Sequence, residues 1–209
     1  MYKNTVITIG RQYGSGGREI GMKIAELLGI SYYDDELISL AAKNSGINSE
    51  TLSDVDEKAT NSLLYTLAMG GSLFGGNAAL AYEMPINDKL YLAQSEVIKE
   101  LAQKEPCVII GRCADYVLKE YPSAINIFIY ADLEKRAVRV AKNRNIPEAK
   151  AKDIIIKTDK QRANYYNYYT SQKWGRIENY DLCIDSGRLS LDKAAEAVVA
   201  YIEKITEDK

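Results

Sequence analysis

Apolar residues in this chain fall into short unbroken runs separated by longer stretches of helical spacing. Val6–Ile9, Ile30–Tyr33, Cys107–Ile110, Ala124–Tyr130 and Leu182–Asp185 read as buried strands. Between and after them, apolar positions recur every three or four residues, which predicts helices over Ile20–Leu28, Asp35–Ser45, Asp88–Gln103, Leu133–Asn143, Asp153–Tyr168 and Leu191–Ile205. Strands alternating with helices imply a parallel sheet with right-handed crossovers. Ligands of such sheets sit beyond the carboxyl ends of the strands. That edge collects a glycine-rich turn after Ile9, then Asp34-Asp35, Gly111-Arg112 and Asp132.

Two stretches interrupt the alternation. Residues 45–87 are poor in strand signal and contain Gly70-Gly71-Ser72-Leu73-Phe74-Gly75-Gly76, which predicts a mobile helical insert. No strand precedes that patch, which argues against a second phosphate loop there. Residues 143–175 are basic and carry Tyr165-Tyr166-Asn167-Tyr168-Tyr169. These tyrosines have two readings, burial against neighbouring helices or closure over a ligand. The chain contains no internal repeat or low-complexity tract, and Glu207-Asp208-Lys209 reads as a frayed tail.

The 209 residues suffice for one α/β domain with a full core. With 27 basic and 29 acidic residues the formal charge is −2, which gives no reason to expect nucleic acid or membrane as a partner. No histidine is present, which removes histidine nucleophiles, bases and metal ligands, and with them most hydrolase triads and zinc catalysis. Cys107, Cys113 and Cys183 form no C-x-x-C pair and lie in or beside apolar segments. Buried reduced thiols and a cytoplasmic location are the expectation. No apolar run approaches the roughly 18 residues of a membrane span.

The turn after the first strand reads Gly10-Arg11-Gln12-Tyr13-Gly14-Ser15-Gly16-Gly17-Arg18-Glu19 and opens a helix. Strand, glycine-rich turn and helix make a phosphate-binding unit, because free N–H groups and the helix dipole face an anion there. The alternative is a tight strand-to-helix turn with no ligand. The common phosphate loop is G-x-x-x-x-G-K-[ST]. With Gly16 on its second glycine, the first glycine becomes Arg11, the lysine becomes Gly17 and the Ser/Thr becomes Arg18. The nearest cation after the loop is therefore Arg18, one residue late and turned by about 100°. Arginine also binds phosphate as a fork where lysine acts as a point charge.

The sequence resembles cytidylate kinase among the nucleoside monophosphate kinases, and more closely the cytidylate kinase-like P-loop proteins. The resemblance rests on Arg11 through Gly21, Tyr33-Asp34-Asp35-Glu36-Leu37-Ile38, Ile110-Gly111-Arg112-Cys113-Ala114-Asp115, Ala131-Asp132-Leu133-Glu134-Lys135-Arg136, Asp159-x-x-Arg162 and Asp181-Leu182-Cys183-Ile184-Asp185-Ser186, in that order. It implies a three-layer P-loop NTPase fold forming one domain over 1–209. A parallel sheet flanked by helices would carry a helical acceptor-side insert at about 35–90 and a lid at about 143–175. It also implies transfer of the γ-phosphoryl group of ATP, with Mg²⁺, to a nucleoside monophosphate or another small anionic acceptor.

On that reading Gln12, Tyr13, Gly14, Ser15, Gly16, Gly17, Arg18 and Glu19 hold the nucleotide, and Arg18, Arg112 and Arg162 neutralise the transferred group. Asp34, Arg112, Arg136, Arg139 and Asp159 are the acceptor-side candidates. Each has a plainer reading. Arg136 and Arg139 fit a solvated helix face paired with Glu134 or Asp132, Asp34 fits a helix cap, and Asp159 fits an i, i+3 partner of Arg162. The metal ligands stay open, since Glu19 stands where relatives carry a threonine. Cys113 replaces an aspartate after Gly-Arg, and Glu36 and Leu40 alter the acceptor segment, which leaves the acceptor open. A non-catalytic nucleotide or anion sensor on the same fold is the alternative. A purely structural protein fits worse, because a glycine-rich loop costs stability.

Overall fold

The computed structural model describes residues 5–34 and 85–207. The helix expected over Asp35–Ser45, the glycine patch at 70–76 and most of the proposed acceptor-side insert lie outside the described residues. The five strands are β1 (Val6–Arg11), β2 (Ser31–Tyr33), β3 (Cys107–Ile110), β4 (Ala124–Tyr130) and β5 (Leu182–Asp185). The helices are α1 (Gly17–Leu28), α2 (Ile86–Lys104), α3 (Ala114–Val117), α4 (Leu133–Arg144), α5 (Glu148–Thr170) and α6 (Leu191–Glu207), with a 3₁₀ turn at Ile177–Asn179. All pairings are parallel, in the order β2-β3-β1-β4-β5.

The apolar strands are unbroken because both sheet faces are covered. Ile7 and Ile9 of β1 join Val108, Ile110, Ile125, Ile127 and Ile129 under Ile20 and Ile24 of α1 and Val198 and Ile202 of α6. Val6, Cys107 and Ile109 face the other way, onto Leu90, Val97, Ile98 and Leu101 of α2 and Ala114 of α3. On that second face Thr8 donates to Asn126 Oδ1 at 2.7 Å, so the polar pair in the middle of the sheet is satisfied. Gly29, at φ +64, closes α1, with its N–H and that of Ile30 returning to Glu26 and Ala25.

Most elements fall where periodicity places them. Two differences matter for the site. The apolar pattern ends at Ile9, yet β1 continues through Gly10 and Arg11, which pair with Phe128 and Ile129. Helix α1 starts at Gly17, three residues before its first apolar position. The gap between strand and helix is thus only Gln12 to Gly16. Helices α4 and α5 form a hairpin packed through Ala137, Val140, Ala151 and Ile155, and Asn145 at φ +52 ends α4. None of the described helices is long and apolar enough to cross a membrane.

All three cysteines are free, and Cys107 and Cys113 are buried. Burial pushes the Cys107 thiol up to about 12, with the charge of Glu105 acting the same way. A thiol raised in the folded state stabilises fully below its unfolded value near 9 and loses that contribution as pH climbs toward 12. The urea midpoint is therefore expected to fall between pH 9 and pH 10, where Cys113, Cys183 and tyrosines such as Tyr32 and Tyr33 act in the same direction. Cys107→Ala is expected to make that fall shallower without abolishing it, measured by equilibrium unfolding at each pH.

Candidate functional site

The turn between β1 and α1 is fastened by its carbonyl groups. Arg162 Nη1 donates to Arg11 O at 3.2 Å, Arg136 Nη1 to Tyr13 O at 3.1 Å, Arg139 Nη1 to Gly14 O at 2.8 Å, and Ser186 Oγ to Ser15 O at 2.5 Å. The Ser15 hydroxyl and N–H both return to Gln12 O, while Gln12 Oε1 accepts from the Ala131 N–H at 3.1 Å. The N–H groups of Gln12, Tyr13 and Ser15 are also used inside the protein, by Ile129 O, Asp159 and Gln12 O. Gly16 caps α1 without a side chain, and the first helical bond runs from Ile20 N–H to Gly16 O at 2.9 Å. The N–H groups of Gly17, Arg18 and Glu19 come before that bond and carry the positive end of the helix dipole.

Asp159 of α5 sits beneath this turn. One of its oxygens accepts the Tyr13 N–H at 2.7 Å and the other accepts Arg136 Nη1 at 2.5 Å. Arg136 is buried and also donates through Nε to Ala131 O at 2.8 Å. Arg136 is therefore not part of a solvated face, and both it and half-buried Arg139 brace the loop from α4. Half-buried Arg139 has its pKa lowered by burial, against the pull of the Glu19 charge. Asp159 and Arg162 each grip the loop, Asp159 at Tyr13 and Arg162 at Arg11. The Tyr13 ring lies 5.5 Å from the guanidinium carbons of both Arg144 and Arg162, within cation–π range.

Beside the loop, at the carboxyl ends of adjacent β1 and β3, lies a small cleft of about 40 Å³. Arg11, Arg112 and Arg162 line it together with Asp115, Tyr165, Tyr166, Trp174 and Tyr180. Arg112 and Cys113 follow Gly111 in left-handed backbone, at φ +56, +55 and +71. Such a backbone costs roughly 1–2 kcal/mol at each non-glycine residue. The Cys113 carbonyl recovers part of that by accepting the N–H groups of Tyr116 and Val117. Burial pushes the Asp115 carboxyl above the usual carboxylate range, opposed by the Tyr166 hydroxyl, which donates to it at 2.6 Å. The tyrosine run of α5 lies against α2 and the cleft: Tyr169 stacks on Tyr91 at 4.1 Å and donates to Asp88 at 2.9 Å.

Arg18 lies elsewhere. Its Nε is 3.0 Å from Asp34 Oδ2, with the arginine side chain 56% exposed and the aspartate 8%. It thus reaches the end of edge strand β2. Burial and the Asp34 charge push the neighbouring Tyr32 up to about 12, with Arg18 acting the other way.

The family description "Cytidylate kinase-like family" matches residues 6–188. The chain belongs to the cytidylate kinase-like family. Among curated proteins it is 25% identical over 107 residues to the cytidylate kinase of Sulfurisphaera tokodaii, a match covering 51% of this chain and 59% of that one. It is 24% identical to the cytidylate kinase of Methanopyrus kandleri over 213 aligned positions, covering 98% and 96% of the two chains. A solved structure of an uncharacterised protein from Eubacterium ventriosum is 28% identical with a TM-score of 0.71, covering 95% of this chain and 98% of that one. A gluconokinase from Sinorhizobium meliloti shares the fold at 15% identity, with a TM-score of 0.53 over 98% and 95% of the chains. These α/β P-loop kinase neighbours agree with the three-layer architecture.

Of the residues lining this cleft, sequence reading did not single out Arg11, Asp115, Trp174 or Tyr180 as candidates. Arg11 was hidden because the apolar run stops two residues before the strand does. Asp115 follows Gly111-Arg112 closely enough to share its strand end, which was the available signal.

Removing Asp159 leaves buried Arg136 without its carboxylate and frees the Tyr13 N–H. Asp159→Ala is expected to lower the unfolding free energy by about 3 kcal/mol. Equilibrium urea unfolding checks this, and a loss below about 1 kcal/mol would mean the loop does not depend on the pair.

Proposed function

We propose that this protein transfers the γ-phosphoryl group of ATP to a nucleoside monophosphate or another small anionic acceptor. The observation that carries this reading is the meeting of Arg11, Arg112 and Arg162 in one cleft beside a glycine turn that opens α1. Phosphoryl transfer asks a protein mainly for positioning and for neutralisation of charge on the moving group. The bond from the γ-phosphorus to the β–γ bridging oxygen breaks as a bond to an acceptor oxygen forms, and ADP leaves with the electron pair. An acceptor phosphate is already a nucleophile, so no histidine base is needed.

In this assignment the turn and the first N–H groups of α1 bind the triphosphate. Arg112 and Arg162 face the transferred group and the acceptor, and Arg18 with Asp34 marks the acceptor side. Arg136, Arg139 and Asp159 act by holding the turn. The cytidylate kinases among the relatives support a pyrimidine monophosphate as the first acceptor to try. Arg18 stands where the common loop has a metal-binding hydroxyl, which leaves Glu19 as the loop's one carboxylate that would face a magnesium ion carried by the phosphates. No step is assigned to a metal here, and magnesium enters the assay as the triphosphate's counterion.

A second reading, a nucleotide or anion sensor without turnover, is favoured by one observation. The N–H groups of Gln12, Tyr13 and Ser15 are engaged by Ile129 O, Asp159 and Gln12 O, so three donors of the turn are withdrawn from a ligand.

The test is transfer of radiolabelled phosphate from the γ-position of ATP, with Mg²⁺, to CMP, dCMP, UMP, AMP and GMP, beside a control without acceptor. Transfer to at least one is expected, with Arg112→Ala lowering its rate by about 100-fold or more. Thermal stabilisation by ATP without transfer supports the sensor instead. Absence of both overturns the two readings.

A further inference from the structure

We infer that Arg11 supplies the cation that a loop lysine supplies in the common phosphate loop, entering the same space from the opposite side of the turn. This rests on the proposed phosphotransferase reading and names the residue that completes it.

Arg11 follows Ile7 and Ile9 on the alternating face of β1 that packs against α1. Its stem therefore runs toward the first turn of α1. A Cβ built on Gly17 would lie 2.5 Å from Arg11 Cβ, 3.0 Å from its Cγ and 3.4 Å from Ile129 Cβ. Arg11 Cβ is fixed to the strand backbone and cannot swing aside. Side chains at 11 and 17 thus exclude one another. The common motif has glycine at the first of these positions and lysine at the second. This chain has arginine at the first and glycine at the second. The charge is kept and its root is exchanged.

The far end of the side chain agrees. A Cβ on Gly111 would overlap Arg11 Nη1 and lie 3.1 Å from its Cζ. The guanidinium therefore rests on the backbone at the end of β3, beside Arg112. Gly111 has φ +71, so a larger residue there would be strained as well as crowded. Arg162 donates to the Arg11 carbonyl at 3.2 Å and lines the same cleft, which fixes the root and surrounds the head. By contrast, Arg18 is 3.0 Å from Asp34 at the sheet edge, and its one-residue offset turns it by about 100° from the lysine position. A planar fork on a half-buried stem would hold two phosphate oxygens at once.

The test uses the full chain. Binding of a non-hydrolysable ATP analogue is measured by calorimetry without acceptor, and transfer is measured with the best acceptor. Arg11→Ala is expected to weaken binding about 10- to 100-fold and to lower transfer at least as much, with Arg11→Lys partly restoring both. Arg11→Gly/Gly17→Lys, which restores the first glycine and the lysine of the common loop, is expected to bind more tightly than Arg11→Gly alone. A structural cycle stands beside this: Gly17→Ala should lower the urea midpoint in the wild-type background and far less in Arg11→Gly. Wild-type affinity and transfer in Arg11→Ala, or an equal effect of Gly17→Ala in both backgrounds, overturns the inference alone. A wild-type protein that binds no triphosphate overturns the underlying reading and this inference with it.

Discussion

Much of the site hangs from one buried ion pair. Asp159 holds Arg136 at 2.5 Å and the Tyr13 N–H at 2.7 Å, so a helix pair and the turn after the central strand share one carboxylate. Such a pair contributes little net stability, because desolvation offsets attraction. Its consequence is geometric. Helices α4 and α5 are joined by a short connection and packed through small and apolar residues, so fixing Asp159 fixes Arg162 one turn later. The strand, the turn and the α4–α5 hairpin then behave as a single frame around the cleft.

That frame gathers positive charge in a chain whose net charge is −2. Arg11, Arg112 and Arg162 line one cleft, and Arg136 and Arg139 stand behind the turn. Like charges at such spacing repel, more strongly where water is displaced. Asp159 and Asp115 lie among them, and the Asp115 carboxyl is itself pushed toward its neutral form by burial. An incoming phosphate would relieve the repulsion, which ties the cost of building the site to selectivity for anions. The left-handed run at Gly111, Arg112 and Cys113 belongs to the same account: strain is retained where it aims a cation.

The sheet was legible because period and chemistry agree there. Cys107–Ile110 is apolar and buried throughout, Ala124–Tyr130 is apolar apart from Asn126 and buried at alternate and central positions, and the structure matches both spans. Legibility fails where a residue serves geometry rather than burial. Arg11 ends a strand that its side chain gives no reason to extend. Gly17 opens a helix with a residue that weakens helices. Helix α3 is a single turn without room for periodicity. Arg136 and Arg139 share an i, i+3 face that looks like a solvent or ligand face in sequence. Only the carbonyls of Tyr13 and Gly14, far away in the chain, reveal that they brace the loop. Asp34 offered two readings, a cap or an acceptor contact, and its observed partner is Arg18.

The tyrosines of α5 bear on how such a site would open. If α5 swings as a lid, it must part the Tyr91–Tyr169 stack, the Tyr169–Asp88 and Tyr166–Asp115 bonds, and its grip on the turn through Asp159 to Tyr13 and Arg162 to Arg11. A stacked aromatic pair contributes about 0.5–1.5 kcal/mol and each hydrogen bond about the same net amount. Their sum exceeds the roughly 2.7 kcal/mol that ligand at 100 times its dissociation constant supplies, so these contacts tie α5 to the frame. Because Tyr166 grips Asp115 while Arg162 grips the Arg11 carbonyl, both sides of the cleft would loosen together. Opening would then separate the arginines, and the cationic cleft would exist in full only when closed.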